Sequence, residues 1–570
     1  MKYGLTSLAA AALLMAGCSE TTTPTSAGLE QAVFTALGGL EVGEVLRLTG
    51  ADAADLMVGG QELERGFVFI PFNASRAAGR INVEVSGDGL GQTDPSGPGV
   101  ASSRGAGATA PWLPNSSMHT VLNDRFRSVA EPRLDSFQRQ RPVYRSVRRE
   151  AAADLSGGNA EVGELVEINT SVAAGSFNEI CESFDNRTGR VEAITDRAII
   201  VGDVDNPAGG FTRADYESFG DEFDSLVDPT ITSTFGEPSD IDGNDRVIIF
   251  FTRAVNELTT PGSQGFVGGF FYSRDLFLKE GAEACRASNA GEIFYILAPD
   301  PNAQASHVPH SRAAVFTAAL GTIGHEYQHL INASRRIWIH GFSSFETTWL
   351  DEGLSHIGEE LLFYADANVD PRSNIGASNL DSQTIVDAIN RFGVSNLVRY
   401  GLYLENVTRE APTQPDDDLE TRGAAWSFLR YLADQRAEDD AAFFFALVNT
   451  ERTGFDNLAA VLDDEPLDWF QRWGVSVYTD DLVGGEAVSL LQQPSWDFRS
   501  LLPLLGIFEE PFPLRVRTLN PGQTVGFQVA ATSSGYVRFT GGAGEVVRLS
   551  TTSGSVAPPS QLRVTVVRIE

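Results

Sequence analysis

In the stretch TIGHEYQHLIN, Thr322–Asn332, an imidazole, a carboxylate and a second imidazole stand at His325, Glu326 and His329 in the spacing H-E-x-x-H. Residues four apart on an α-helix differ by about 400° of rotation, so both imidazoles project from one face. Two neutral imidazoles so placed can hold a zinc ion. Glu326, roughly 100° round the helix, falls beside the ion, where a general base is needed. Phe316, Leu320, Ile323, Tyr327, Leu330 and Ile331 form the opposite, core-seeking face, and the histidine face carries the small residues Ala318, Gly321 and Thr322. Gly321 and Gly324 each weaken a helix by roughly 1 kcal/mol relative to Ala, so close approach of another element is the expected reason for them.

Six of the seven histidines lie between His307 and His356. Just downstream, WLDEGLSHIGEELLFY (Trp349–Tyr364) places Leu350, Leu354, Ile357 and Leu361 on one helical stripe. Glu352, His356 and Glu359 share the opposite face. A second helix would thus offer a carboxylate to the first, and Glu352 completes a His₂Glu set whose fourth position stays open for water. The competing reading is two surface histidines on a helix, with Glu352 a solvated glutamate favoured by the helix dipole.

HEYQHLIN followed by WLDEGLSH resembles the gluzincin metallopeptidases, most closely the hyicolysin-like branch. The resemblance is close over 310–365, looser over 160–480 and absent elsewhere. It implies zinc ligands at His325, His329 and Glu352, with Glu326 as catalytic base. The metzincin pattern requires a glycine and a further histidine where this chain has Asn332 and Arg335, so it fails. Thermolysin-like gluzincins carry, four residues after the glutamate ligand, an aspartate that orients a ligand histidine. Here that position is His356, which leaves Glu359 or Glu360 as substitutes.

The rest of the chain must position these residues. Its 570 residues suggest about three or four domains, and 42% hydrophobic content is ample for real cores. A net charge of −34 argues against nucleic acid as a partner. Lys2, the apolar run Leu5–Met15 and Met15-Ala16-Gly17-Cys18 read as a bacterial export signal over 1–18. This resembles a lipobox with Cys18 as the lipidated residue, implying an anchor at the cell envelope, by Ser19 the outer membrane; plain secretion is the alternative. No other stretch is long and apolar enough to span a bilayer.

Residues 19–28 form a Thr/Pro/Ser tether, and 29–90 alternate as β-strands, expected to be a small sandwich-like domain. The stretch 91–156 starts Gly/Ser-rich and turns arginine-rich, reading either as a solvated connecting helix or as a propeptide. A zincin-like metallopeptidase domain spans 157–500, its strands EVGELVEINT, RVEAITDRAIIVGD, DRVIIFFT and EIFYILAP preceding the histidine helix. Gly265–Ser273 reads as an edge strand for an extended peptide or as an ordinary core strand. Helical patterns at 421–437, 441–449 and 468–478 suggest a lower lobe, and 511–570 returns to a C-terminal β-sandwich. The expected class is α+β, a zincin-like domain flanked by N-terminal and C-terminal β domains. Cys181 and Cys285 are expected to pair as a disulfide. Asp240, Asp242, Asn244 and Asp245 resemble half of a calcium loop without its closing glutamate, and a tight Asp/Gly turn before a strand is the commoner explanation.

The expected chemistry is peptide-bond hydrolysis by one zinc-bound water, with Glu326 moving the proton. The oxyanion needs a further donor, for which His340, Tyr364, Tyr400 and Tyr403 are candidates. The rival expectations are a surface lipoprotein using a zincin fold for binding or adhesion, and a zinc hydrolase on a non-peptide substrate.

Overall fold

A computed structural model of the chain describes residues 40–58, 64–94, 117–147, 160–259, 265–281, 283–483 and 490–570, with backbone alone at 51, 117–120 and 140–147. The export signal, Cys18 and the tether lie outside these residues. The N-terminal apolar runs form β1 (Val45–Thr49), β2 (Asp55–Val58), β3 (Arg65–Asn73), β4 (Arg80–Asp88) and β5 (Leu90–Gly91). The middle of the chain supplies β6 (Leu165–Asn169), β7 (Asn186–Ile194), β8 (Ala198–Asp203), β9 (Val247–Thr252), β10 (Gly269–Phe271) and β11 (Ile293–Leu297). These last six make one sheet in the order β10-β11-β9-β8-β7-β6. In it β8, β9 and β11 run parallel, whereas β10, β7 and β6 pair antiparallel. The runs AIIVGD and VIIFFT are buried at every position, the pattern of strands covered on both faces.

Helices pack against this sheet. Arg213–Glu222 continues through Phe223–Val227 into Asp228–Phe235 and buries Tyr216, Phe219 and Phe223. The histidine helix Arg312–Ser334 starts where the Ser311 side chain accepts from Ala314 N–H (3.2 Å). The glutamate helix Thr348–Ala367 crosses it closely. A Cβ on Gly324 would collide with Leu362 of that helix, and one on Gly321 would lie 3.0 Å from the Arg391 carbonyl, so both glycines mark close approaches. Helices Val394–Asn406, Leu419–Arg436, Asp440–Val448 and Pro466–Thr479 complete the layer and share one core with the sheet. Cys181 and Cys285 are disulfide-bonded and close a span of 104 residues.

The C-terminal runs form β12 (Val516–Thr518), β13 (Thr524–Ala530), β14 (Tyr536–Gly541), β15 (Val547–Thr552) and β16 (Leu562–Arg568). They do not make a domain of their own, and neither do the N-terminal strands. One sheet runs β1-β16-β3-β14-β12, with β5 also on β14, and the other runs β13-β4-β15-β2. The two flanking β domains expected from the sequence are therefore one sandwich in which the two ends of the chain interleave. Local periodicity shows that a segment is a strand but not which distant strand it pairs with. Strand β3 shows the consequence. Phe67 and Phe69 face the sandwich core, while Val68, Ile70 and Phe72 belong to the core shared with the helices. Helix Pro466–Thr479 seals that junction, where Gln471 Nε2 donates to Thr565 Oγ1 (3.0 Å) and the Tyr536 hydroxyl to the Gly474 carbonyl (2.6 Å).

The charged connector also differs from expectation. Ser117–Val147 is one helix, and Leu122, Phe126, Ala130, Leu134 and Phe137 are buried along one face of it. Its arginines dominate the composition and mask that stripe, so this part of 91–156 is a packed helix rather than a solvated linker.

Deleting residues 511–570 removes the partners of β3 and β4. Limited proteolysis of the truncated chain is expected to cut within 40–94; resistance of that stretch would mean an independent N-terminal domain.

Candidate metal centre and cleft

His325 and His329 sit one turn apart on the histidine helix, and Glu352 comes from the first turns of the glutamate helix. Their donor atoms converge: Nε2 to Nε2 is 3.1 Å, and Glu352 Oε2 lies 3.5 Å from His325 Nε2 and 3.7 Å from His329 Nε2. A tetrahedral zinc with ligands about 2.0–2.2 Å away spaces its donors roughly 3.3–3.6 Å apart, so this set of two imidazoles and a carboxylate fits such an ion. All three side chains are buried.

The far side of each imidazole is held by a carboxylate. His325 Nδ1 bonds Glu359 Oε1 at 2.8 Å, and His329 Nδ1 lies 3.2 Å from Asp351 Oδ2. A proton on each Nδ1 leaves both Nε2 lone pairs for a metal. Glu359 Oε1 also accepts from His356 Nδ1 (3.0 Å), so His356 and Glu359 both belong to the centre, and Glu359 orients the histidine. Glu360 does not. Its carboxylate takes Trp496 Nε1 (2.5 Å) and the Tyr364 hydroxyl (3.1 Å) instead.

Three arginines from three helices balance these carboxylates. Arg127 of the connector helix binds Asp351 Oδ2 (2.8 Å), Arg422 reaches Glu352 Oε2 (3.0 Å) and Arg399 approaches Glu359 Oε2 (3.5 Å). Asn332 Nδ2 adds a bond to Asp351 Oδ1 (2.8 Å). Gly423 lets the two arginine-bearing helices meet, because a Cβ there would strike the Arg399 backbone. Against the cost of burial, Arg127 and His329 hold Asp351 well below the usual carboxylate range. Burial lowers His329, but Asp351 and Glu352 overcome it and raise the imidazole to about 10. Burial, with Arg399 beside it, pushes His356 down to about 3, so that ring is neutral. The sequence reading passed over Arg127, Asp351, Arg399 and Arg422. The available signal was an arginine beside apolar residues in the helices of Arg399 and Arg422 and an aspartate next to Glu352, whereas Arg127 is one of many arginines in its helix.

Glu326 is buried and its Oε2 accepts from the Phe271 amide (2.8 Å). Gly265–Ser273 thus contains a short strand, β10, at the end of its sheet. Asn123 of the connector helix caps the same strand, donating to the Phe271 carbonyl (2.7 Å) and accepting from Ser273 N–H (3.0 Å). Gly268 and Gly269 line a cleft with Thr322, His325, Glu326 and Arg399. The expected oxyanion donors are elsewhere. His340 is exposed and bonds Asn449 (2.8 Å), Tyr364 serves Glu360, and Tyr400 and Tyr403 pack against Phe498 and Trp473.

The half calcium loop acquires its glutamate from a distance. Asp240 and Asp242 cluster with Glu292, whose carboxylate accepts from Ile241 N–H (3.0 Å). Counting forward from Asp240 could not find a residue that stands just before β11, beside β9 in the sheet.

No family model matches the chain. Over 146 residues it is 30% identical to the neutral metalloprotease ShpI of Staphylococcus hyicus, a match covering 25% of this chain and 30% of that protein. The chain is thus related to a metalloprotease over a quarter of its length.

Loss of an orienting group is expected to loosen the metal without unfolding the chain. Glu359→Gln should weaken zinc binding by about 10–100-fold in chelator competition, and Arg127→Met should act through Asp351 in the same direction.

Proposed function

We propose that the chain is a zinc-dependent endopeptidase of the gluzincin type, related to the hyicolysin-like branch. The observation that carries this reading is Glu326. A buried carboxylate beside three converged metal donors, fixed by a strand amide, is placed for proton transfer rather than for ligation. A zinc ion held by His325, His329 and Glu352 would supply a water of lowered pKa and polarise the scissile carbonyl.

The protein's own groups do the rest. Glu326 takes the proton from the attacking water and returns it to the leaving amine. Phe271 N–H fixes one carboxylate oxygen of Glu326, and the residue lines the cleft. Glu359 and Asp351 hold the imidazoles in the ligating tautomer. Two cations line the cleft: Arg391 pairs with Asp366 (2.9 Å) and Glu222, while Arg399 meets Glu359 only at 3.5 Å and is our candidate donor to the developing oxyanion. Strand β10 is paired on one side by β11, and its Gly268–Gly269 end borders the cleft, a placement suited to an extended polypeptide substrate.

The export signal read over 1–18 supports an enzyme tethered at the cell envelope through Cys18. No helix among the described residues is long and apolar enough to cross a membrane.

The test is cleavage of casein or a quenched peptide by the mature protein and by Glu326→Gln, with zinc measured in both. The expected outcome is near one zinc in each and a loss of activity of about 10²-fold or more in the variant. Zinc without cleavage by either would favour a binding protein or a non-peptide substrate, and zinc in neither would remove the site.

A further inference from the structure

A second cluster of oxygen donors lies away from the histidines, in the loop between helices Val394–Asn406 and Leu419–Arg436. Glu410, Asp416 and Asp418 bring one carboxylate oxygen each to within 4.8 Å of one another. Proximity among acidic side chains alone says little, since exposed carboxylates crowd without consequence. Glu410 is different. It is only 8% exposed, and among the described residues its Oε2 has no hydrogen-bond partner. A buried carboxylate oxygen left without a donor is costly, and like charges beside it add to that cost. The pressure shows in its acidity: burial, then Asp418 and Asp416, raise Glu410 to about 7.

Asp416 is exposed, but the chain on either side of it is well held, which keeps Glu410 and Asp418 in place. Ser533 Oγ donates to the Glu410 carbonyl (2.9 Å), Gln414 Nε2 to the Ala531 carbonyl (2.9 Å), and the Thr413 and Thr532 hydroxyls meet at 2.7 Å. Asp418 Oδ1 caps the following helix by accepting from Thr421 N–H (2.9 Å), which fixes that carboxylate too. Asp417, in the left-handed region at φ 44°, turns the other way and pairs with Arg422 (2.6 Å). Arg422 is committed to Asp417 and to Glu352, and the nearby Arg409 offsets only part of the charge on Glu410; among the described residues none of the three remaining carboxylates has an ion-pair partner.

We propose that Glu410, Asp416 and Asp418 form a calcium site that fastens this loop, and with it the β-sandwich corner at 530–533, to the helical layer. The donor set decides the class of ion. Three carboxylates with no nitrogen or sulfur select a hard cation, and an irregular loop suits calcium, which takes six to eight oxygens in flexible geometry, better than magnesium, which demands a near-ideal octahedron. Backbone carbonyls and water would complete the shell. Calcium there offsets the mutual repulsion of the carboxylates and gives Glu410 its missing partner. It also fixes Asp417, and so holds Arg422 against the Glu352 carboxylate 3.0 Å away. The site is separate from the histidine centre and does not depend on what that centre does.

The experiment is a calcium titration of the full chain in metal-stripped buffer containing one equivalent of zinc, read by calorimetry and by thermal melting. The chains are wild type, Glu410→Gln, Asp416→Asn and, for the other acidic cluster, Asp240→Asn. Calcium at 10 mM is expected to raise the wild-type Tm by roughly 3 °C or more. Glu410→Gln and Asp416→Asn should each lose most of that shift, and Asp240→Asn should keep it. Without calcium, Glu410→Gln should melt no lower than wild type, because it removes a repelled charge. Absence of binding and of any shift in the wild type overturns the proposal. So does a shift that survives in Glu410→Gln but disappears in Asp240→Asn. A Glu410→Gln chain that melts well below wild type in calcium-free buffer overturns it as well, since protein donors would then be holding that carboxylate.

Discussion

Four carboxylates and three imidazoles share the space between two helices, all buried, and each charge has to be met where it stands. Glu326, Asp351, Glu352 and Glu359 are answered by a strand amide and by Arg422, Arg127 and Arg399. Those cations arrive from the connector helix and from two helices that follow the site in sequence, so the centre closes only when distant parts of the chain have docked. An ion pair in such a place contributes little net stability, but removing one partner leaves a buried charge unpaired at a cost of about 3–5 kcal/mol. The same carboxylates act on the imidazoles. Against burial, Asp351 and Glu352 raise His329 to about 10, and carboxylates beside His325 raise that ring too. A divalent ion would displace a proton held there, so binding is coupled to pH.

The β-sandwich extends this dependence to the chain termini. Strand β3 faces the sandwich core with alternate residues and the helical core with the others, and helix Pro466–Thr479 lies across the junction. Neither end of the chain can form a sheet alone, because β3 and β4 each lie between C-terminal strands. The connector helix ties the two units from the other direction. Its buried stripe lies in the helical core, and Asn123 and Arg127 on the same helix contact β10 and Asp351. A segment making those contacts is part of the site's framework, which weighs against reading it as a propeptide to be discarded.

What was legible in the sequence follows from the range of each signal. The imidazole pair, Glu326 and Glu352 announce themselves through helical spacing within two short stretches, and Gly321 and Gly324 announced a close neighbour without naming it. The interleaving of β3 and β4 with β13–β16 was invisible, since period-two alternation is the same whichever strand is the partner. Glu292 was invisible for a related reason: it completes the Asp240 turn across a sheet, not along the chain. The tyrosines offered as oxyanion donors failed on direction. Proximity in sequence to the glutamate helix does not say which face a hydroxyl takes, and Tyr364 turns to Glu360 and Trp496.

His356 and Glu359 act on His325 together. Four residues beyond Glu352, on the same helical face, His356 packs near His325 rather than bonding it. The bonding carboxylate stands one further turn along, at Glu359, and its side chain reaches back to His325 Nδ1 at 2.8 Å. The same oxygen accepts from His356 Nδ1 at 3.0 Å. Two rings donating to one oxygen must both carry the Nδ1 proton, so His356 fixes Glu359 and Glu359 fixes His325. Burial and Arg399 keep His356 neutral, which leaves the negative charge of Glu359 undiminished for the ligand histidine. The two residues thus form one unit beside His325, the His356 ring lying with its centroid 4.6 Å from that imidazole.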